Sequence, residues 1–162
     1  MAREALWSIV RLAGQAPHRR SRLSSNVRRQ VQRFALYLIG GQDDETAEFI
    51  ARDDETACYL ACSFREARIE ASADDYFEAL CIIRSRLEED GLIPFCYGAS
   101  LNVYPSAMSR QMSGGTSAYR LTLGKQALNE DLVPIFAEGS DVIPSTLSNQ
   151  REFFEKWLQS LG

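Results

Sequence analysis

A chain of 162 residues that is 45% apolar, 25% charged and 10% aromatic has ordinary globular composition, which excludes disordered and disulfide-rich classes. It has the length of about one domain, enough to bury roughly two-thirds of its unfolded surface without disulfides or metal. No apolar run approaches the roughly 18 to 20 residues of a membrane-spanning helix, so no membrane partner is expected.

The net charge of −4 is the sum of opposed blocks. Residues 1–42 carry eight arginines and one acid, a charge of +7, and residues 43–90 reach −10. Residues 91–129 contain no acid and carry +3, and the last 33 residues return to −4. We take residues 1–30 as a basic N-terminal arm and 31–162 as a single domain. Such an arm is solvated or docks on the chain's own acidic face, with nucleic acid as the alternative partner. Nucleic acid fits less well, because Trp7 is the only aromatic residue before Phe34. Arg3, Arg11, Arg19 and Arg20, with nearby serines, have the composition of an organelle transit peptide. Leu6–Leu12, interrupted by Ser8 and Arg11, is not a secretory h-region.

Val31–Ile39 is rich in β-branched and aromatic residues and reads as a strand ended by Gly40-Gly41. Asp43–Ala51 and Asp53–Ala61 echo one another and read as two strands paired through an acidic turn at Arg52–Glu55. A short third partner follows at Ala67–Ala71. One long helix over this region is the competing reading, because Ala, Glu and Arg are good helix formers. Strands are preferred because Cys58, Leu60, Cys62 and Phe64 alternate cleanly.

A helix is expected from Asp74 to about Asp90, capped by Ser72 with Asp75 three residues on, and stopped by Gly91. Tyr76, Phe77, Leu80, Ile83 and Leu87 form its apolar face. Glu88, Glu89 and Asp90 sit at the negative end of its dipole, where each is unfavourable by up to roughly 1 kcal/mol, leaving an acidic patch open to a basic partner. Leu92–Tyr97 reads as an edge strand carrying Pro94, and Ala118–Leu123 as another strand. Ser145 or Thr146 caps a last helix reaching Leu161, with Leu147, Phe154, Trp157, Leu158 and Leu161 as its stripe. The expected fold is α+β: a mostly antiparallel sheet with a central amphipathic helix and a C-terminal helix packed on one face.

Cys58, Cys62, Cys81 and Cys96 include no C-x-x-C pair, and His18 lies far off in the arm. They read as buried free thiols of a reducing, cytoplasmic compartment, with neither metal nor cofactor called for. Gly98–Ser117 is polar, with Arg110 its only charged side chain. A short helix over Ser106–Met112, stopped by Gly114, would set Met108 and Met112 on one face against the core. Tyr104, Ser106, Ser109, Arg110, Ser113, Gly114 and Gly115 are the candidate binding residues, as backbone donors and a guanidinium for an anion or nucleotide. No Walker, Rossmann or nucleophile-elbow motif accompanies them.

Tyr76–Leu80, Cys96–Ala99, Asn102-Val103-Tyr104-Pro105-Ser106, Met108-Ser109-Arg110, Met112, Ala118-Tyr119 and the Phe153–Trp157 end together resemble a family of small bacterial proteins with an NVYPSxMSR-type segment. The resemblance covers Asp74 to the C-terminus and implies no activity or catalytic residue. The arm lies outside it, which argues against organelle targeting. No base accompanies Ser106 or Ser109 in sequence, and Asp74/Asp75 read as helix-start charges, so no catalytic residue is assigned. The expected function is non-catalytic binding of another protein through an acidic face made of Glu88, Glu89, Asp90, Asp53, Asp54 and Glu55. Its concrete version is an immunity-like inhibitor of a basic toxin. Self-association through Phe153, or through Phe49 and Tyr59 on an uncovered sheet face, is a further expectation.

Overall fold

The computed structural model describes residues 30–53 and 56–162. Residues 1–29 of the arm, with His18, Trp7 and the transit-peptide reading, lie outside the described residues, as do Asp54 and Glu55. Strands β1 (Val31–Ile39), β2 (Glu45–Asp53), β3 (Cys58–Phe64) and β4 (Ala67–Ala73) form an antiparallel meander, and β5 (Ile93–Pro94) closes its other side in the order β4-β3-β2-β1-β5. The echo over residues 43–61 is therefore a hairpin: Phe49 pairs Cys62, Ala51 pairs Leu60 and Asp53 pairs Cys58. Alternation decides it, since Leu36, Leu38, Ala47, Phe49, Leu60, Cys62 and Phe64 all turn to one buried face. Arg65, at φ 50, makes the left-handed turn between β3 and β4 and is ion-paired to Glu45.

Helix α1 (Tyr76–Glu89) lies across the inner faces of β3 and β4. Phe77, Leu80, Ile83 and Leu87 are each at most 1% exposed, which at about 1.5 to 3 kcal/mol per side chain makes this layer the main apolar contribution. Its N-cap is Asp75, whose carboxylate accepts the Glu78 N–H at 2.8 Å, rather than Ser72. Ser72 is held in β4 opposite Tyr59, so the chain is still extended there.

A second sheet, β6 (Val103–Tyr104), β7 (Ser117–Arg120) and β8 (Leu132–Pro134), packs beside the first. Only β7 was foreseen; β6 and β8 are too short to show a period. The expected strand Leu92–Tyr97 shrinks to the two residues of β5, because Pro94 has no N–H to donate and the chain turns into a 3-10 helix at Tyr97–Ala99. Phe136, just beyond β8, joins the sheets by stacking on Phe34 of β1 with ring centres 4.6 Å apart.

Helix α2 (Ala107–Ser113) is capped by Ser106 and ends at Gly114 in the left-handed region, φ 59. Helix α3 (Leu147–Ser160) is capped by Thr146. Together the two sheets and three helices form an α+β fold, with antiparallel pairing throughout the sheets. Among the described residues, no helix is long and apolar enough to cross a membrane.

Candidate functional site

The polar segment following Gly98 is held from below by two buried side chains. Arg84 of α1 is fully buried; its Nη1 donates to the Gly98 carbonyl at 3.0 Å and to Gln150 Oε1 at 2.6 Å, and its Nη2 to the Ser145 carbonyl at 2.8 Å. Gln150 of α3 spends its amide on the carbonyls of Gly98, Ser100 and Val103. Burial lowers the Arg84 pKa, and its nearest carboxylate, Glu88, is 3.9 Å away. A charge this deep is tolerated because carbonyl oxygens replace water around it.

On that base the loop docks against the N-terminus of α1. Tyr104 stacks on Phe154 with centres 4.0 Å apart and meets Phe77 edge-on at 5.3 Å. Arg110 donates to Asp75 at 2.9 Å and Glu78 at 3.3 Å, and the Gly114 carbonyl accepts the Tyr76 N–H at 2.8 Å. Gly115, at φ 72, lies so close that a Cβ would be 2.7 Å from the Asp75 carboxylate. The serines are occupied within α2: Ser106 caps it through the Ser109 N–H, Ser109 Oγ donates to the Ser106 carbonyl, and Ser113 Oγ donates to the Ser109 carbonyl at 2.6 Å. Thus Tyr104 through Gly115 form one structural unit whose single guanidinium already holds two carboxylates.

The expected packing of Met108 and Met112 on the core does not occur. They are 66% and 81% exposed, because α2 turns Ser109 inward instead. Met108 forms part of the wall of an apolar groove of about 420 Å³ between α2, β7 and α3, with Tyr104, Tyr119, Phe154, Trp157 and Leu161. The stripe of α3 was legible, yet the fully buried residue of that helix is Gln150, and Leu158 is 50% exposed. This groove was missed from sequence; exposed Met108 and the overhanging stripe of α3 are its signals.

The acidic residues divide between two ends of the sheet. Asp53 and Glu45 sit at opposite ends of the nine-residue β2, about 27 Å apart. Asp53 accepts the Tyr76 hydroxyl at 2.7 Å, near exposed Asp74. Glu89 and Asp90 lie at the Glu45 end, where the β1–β2 turn abuts the end of α1: a Cβ on Gly40 would fall 2.1 Å from the Gly91 carbonyl oxygen. Exposed Asp43 and Asp44 therefore join them there, and the Arg65 guanidinium pKa is raised first by Glu45, with Asp90 and Asp43 contributing. Glu88 is spent on the start of α3, accepting the Leu147 N–H at 2.8 Å. Asp53 and the Glu89-Asp90 pair, read from sequence as parts of one face, thus belong to separate ends.

Burial pushes the thiols of Cys81 and Cys96 up to about 11 and that of Cys62 to about 12, and raises Cys58 with help from Asp53, Asp75 and Asp74. At neutral pH these are thiols rather than nucleophilic thiolates. All four are unpaired. Phe49 and Tyr59 do not share a face: Phe49 is fully buried beside Phe136, whereas Tyr59 lies on the outer face under the Arg52 guanidinium, 4.2 Å from its ring centre. Phe153 is half-buried. No protein-family model and no curated protein sequence matches the chain.

Proposed function

We propose that this protein acts by binding another protein, without catalysis, through the acidic end formed by Asp43, Asp44, Glu89 and Asp90. Its concrete form is an immunity-like inhibitor of a basic toxin, working in the cytoplasm. The observation that carries the reading is the meeting of two separate acidic segments at one exposed end of the sheet. Five carboxylates there, Asp43, Asp44, Glu45, Glu89 and Asp90, outnumber the two guanidiniums, Arg65 on Glu45 and Arg86 on Glu89, and the excess gives a negative field that accelerates encounter with a basic surface. The four unpaired cysteines are in keeping with a reducing compartment.

The rival anion or nucleotide site in the Tyr104–Gly115 loop needs a free cation. Arg110 is held by Asp75 and Glu78 instead, so geometry favours the acidic end.

The test is parallel capture from the host's extract with the parent chain and with Asp43→Lys/Asp90→Lys. The reading expects a basic protein retained by the parent, lost by the variant, and bound at a rate that falls steeply with salt. Capture of the same proteins by both baits, or of copies of the chain alone, would overturn it.

A further inference from the structure

The groove between α2 and α3 is apolar without being charged. The ion pairs along α3, Arg151 with Glu155 and Lys156 with Glu152, are self-contained, so its complement is an uncharged apolar segment. The chain holds one in its arm: Ala5 to Val10 has no charged residue and includes Leu6, Trp7, Ile9 and Val10.

The point at which the arm joins the domain brings that segment within reach. Gln30 and Gln32 share a cleft with Ser113 and Gly114, at the C-terminal end of α2, while Ser106 and Met108 at the other end line the groove. The seven residues of α2 separate the two by about 10 Å. Twenty residues lead from Val10 to Gln30 and reach up to about 70 Å when extended, several times what is required. Charge favours the same path. Arg19, Arg20, Arg22, Arg28 and Arg29 precede Val31 in the sequence, and Val31 pairs Arg52 beside exposed Asp53, at the end of the sheet that also carries exposed Asp74.

We propose that the groove between α2 and α3 seats Ala5–Val10 of the chain's own arm, with Trp7 as the anchor. This is independent of the acidic end at Asp43 and Asp90, which lies at the other end of the sheet. The docked arm covers the overhanging stripe of α3 and keeps a large apolar patch from other copies of the chain.

Two tryptophans, Trp7 and Trp157, make the test direct. The full chain labelled with 5-fluorotryptophan gives two fluorine resonances, assigned with Trp7→Phe. In the parent, the Trp7 resonance is expected away from its position in a free peptide of residues 1–15. It should return to that position in Met108→Arg, which adds a charge to the groove at a side chain already 66% exposed. Met112→Arg, on the same helix but outside the groove, should leave it displaced. A Trp7 resonance at the free-peptide position in the parent would overturn the proposal, as would one that Met108→Arg does not move. A displacement lost on dilution, with dimers by sedimentation, would overturn it in favour of exchange between two copies.

Discussion

Arg84 and Gln150, 66 positions apart, meet at 2.6 Å in the centre of the protein, with neither side chain more than 2% exposed. Gln150 also accounts for three carbonyls of the loop, whereas Arg84 accounts for two. Truncating the glutamine strands a buried charge; truncating the arginine removes one. Gln150→Leu should cost about 3 kcal/mol in urea unfolding, and Arg84→Met less than half of that. Equal losses would show that charge burial does not govern the pair.

Arg110→Ala should lower stability by about 1 to 2 kcal/mol, because Asp75, the buried cap of α1, loses its cation. Inorganic phosphate should leave the melting temperature of the parent unchanged, and likewise that of the less stable variant. Stabilisation of the parent alone by phosphate would restore the anion-site reading.

Gly115→Ala should be costly for two reasons, a φ of 72 and a Cβ placed 2.7 Å from the Asp75 carboxylate. About 2 kcal/mol is expected by thermal or urea unfolding, with loss of helix at the start of α1. A loss within a few tenths of a kcal/mol would mean that the loop is not docked on that cap.

The thiols set a pH dependence. Their folded pKa values are raised, to about 11 for Cys96 and about 12 for Cys62, above the ordinary value of 9.0. The stability they contribute is therefore complete below the unfolded pKa. It falls as pH rises from about 9 through the folded values, because the unfolded chain loses those protons first, by up to about 1.4 kcal/mol per pH unit per thiol. Melting curves from pH 7 to 11 should decline above pH 9, and Cys62→Ala/Cys96→Ala should flatten the decline while lowering stability throughout. An unchanged slope in the double variant would assign it to other groups.

How much of the fold and site could be read locally depends on the range of the interaction. Strand β1, the β2–β3 hairpin, α1 and α3 came from composition and periodicity, because each buries a face that its own residues define. The Ser72 cap failed because β4 extends farther than its composition suggests, and pairing with β3 outweighs a local capping option. Met108 and Met112 misled because spacing places them on one face without saying which way the helix rolls. Asp43 and Asp90 were visible as acids, but not as neighbours.

By itself the amino-acid sequence determined the α+β class, the order of the main elements and the blocks of charge, since these follow from side-chain period and composition along the chain. Only the tertiary structure decided where the charges lie: it divided the acids between two ends of the sheet, neutralised Arg110 against Asp75, buried Arg84 against Gln150, and opened an apolar groove beside α3. The physical reason is that Coulomb and contact energies depend on distance in space, and a meander with a packed helix brings together residues tens of positions apart while separating others by the length of a strand.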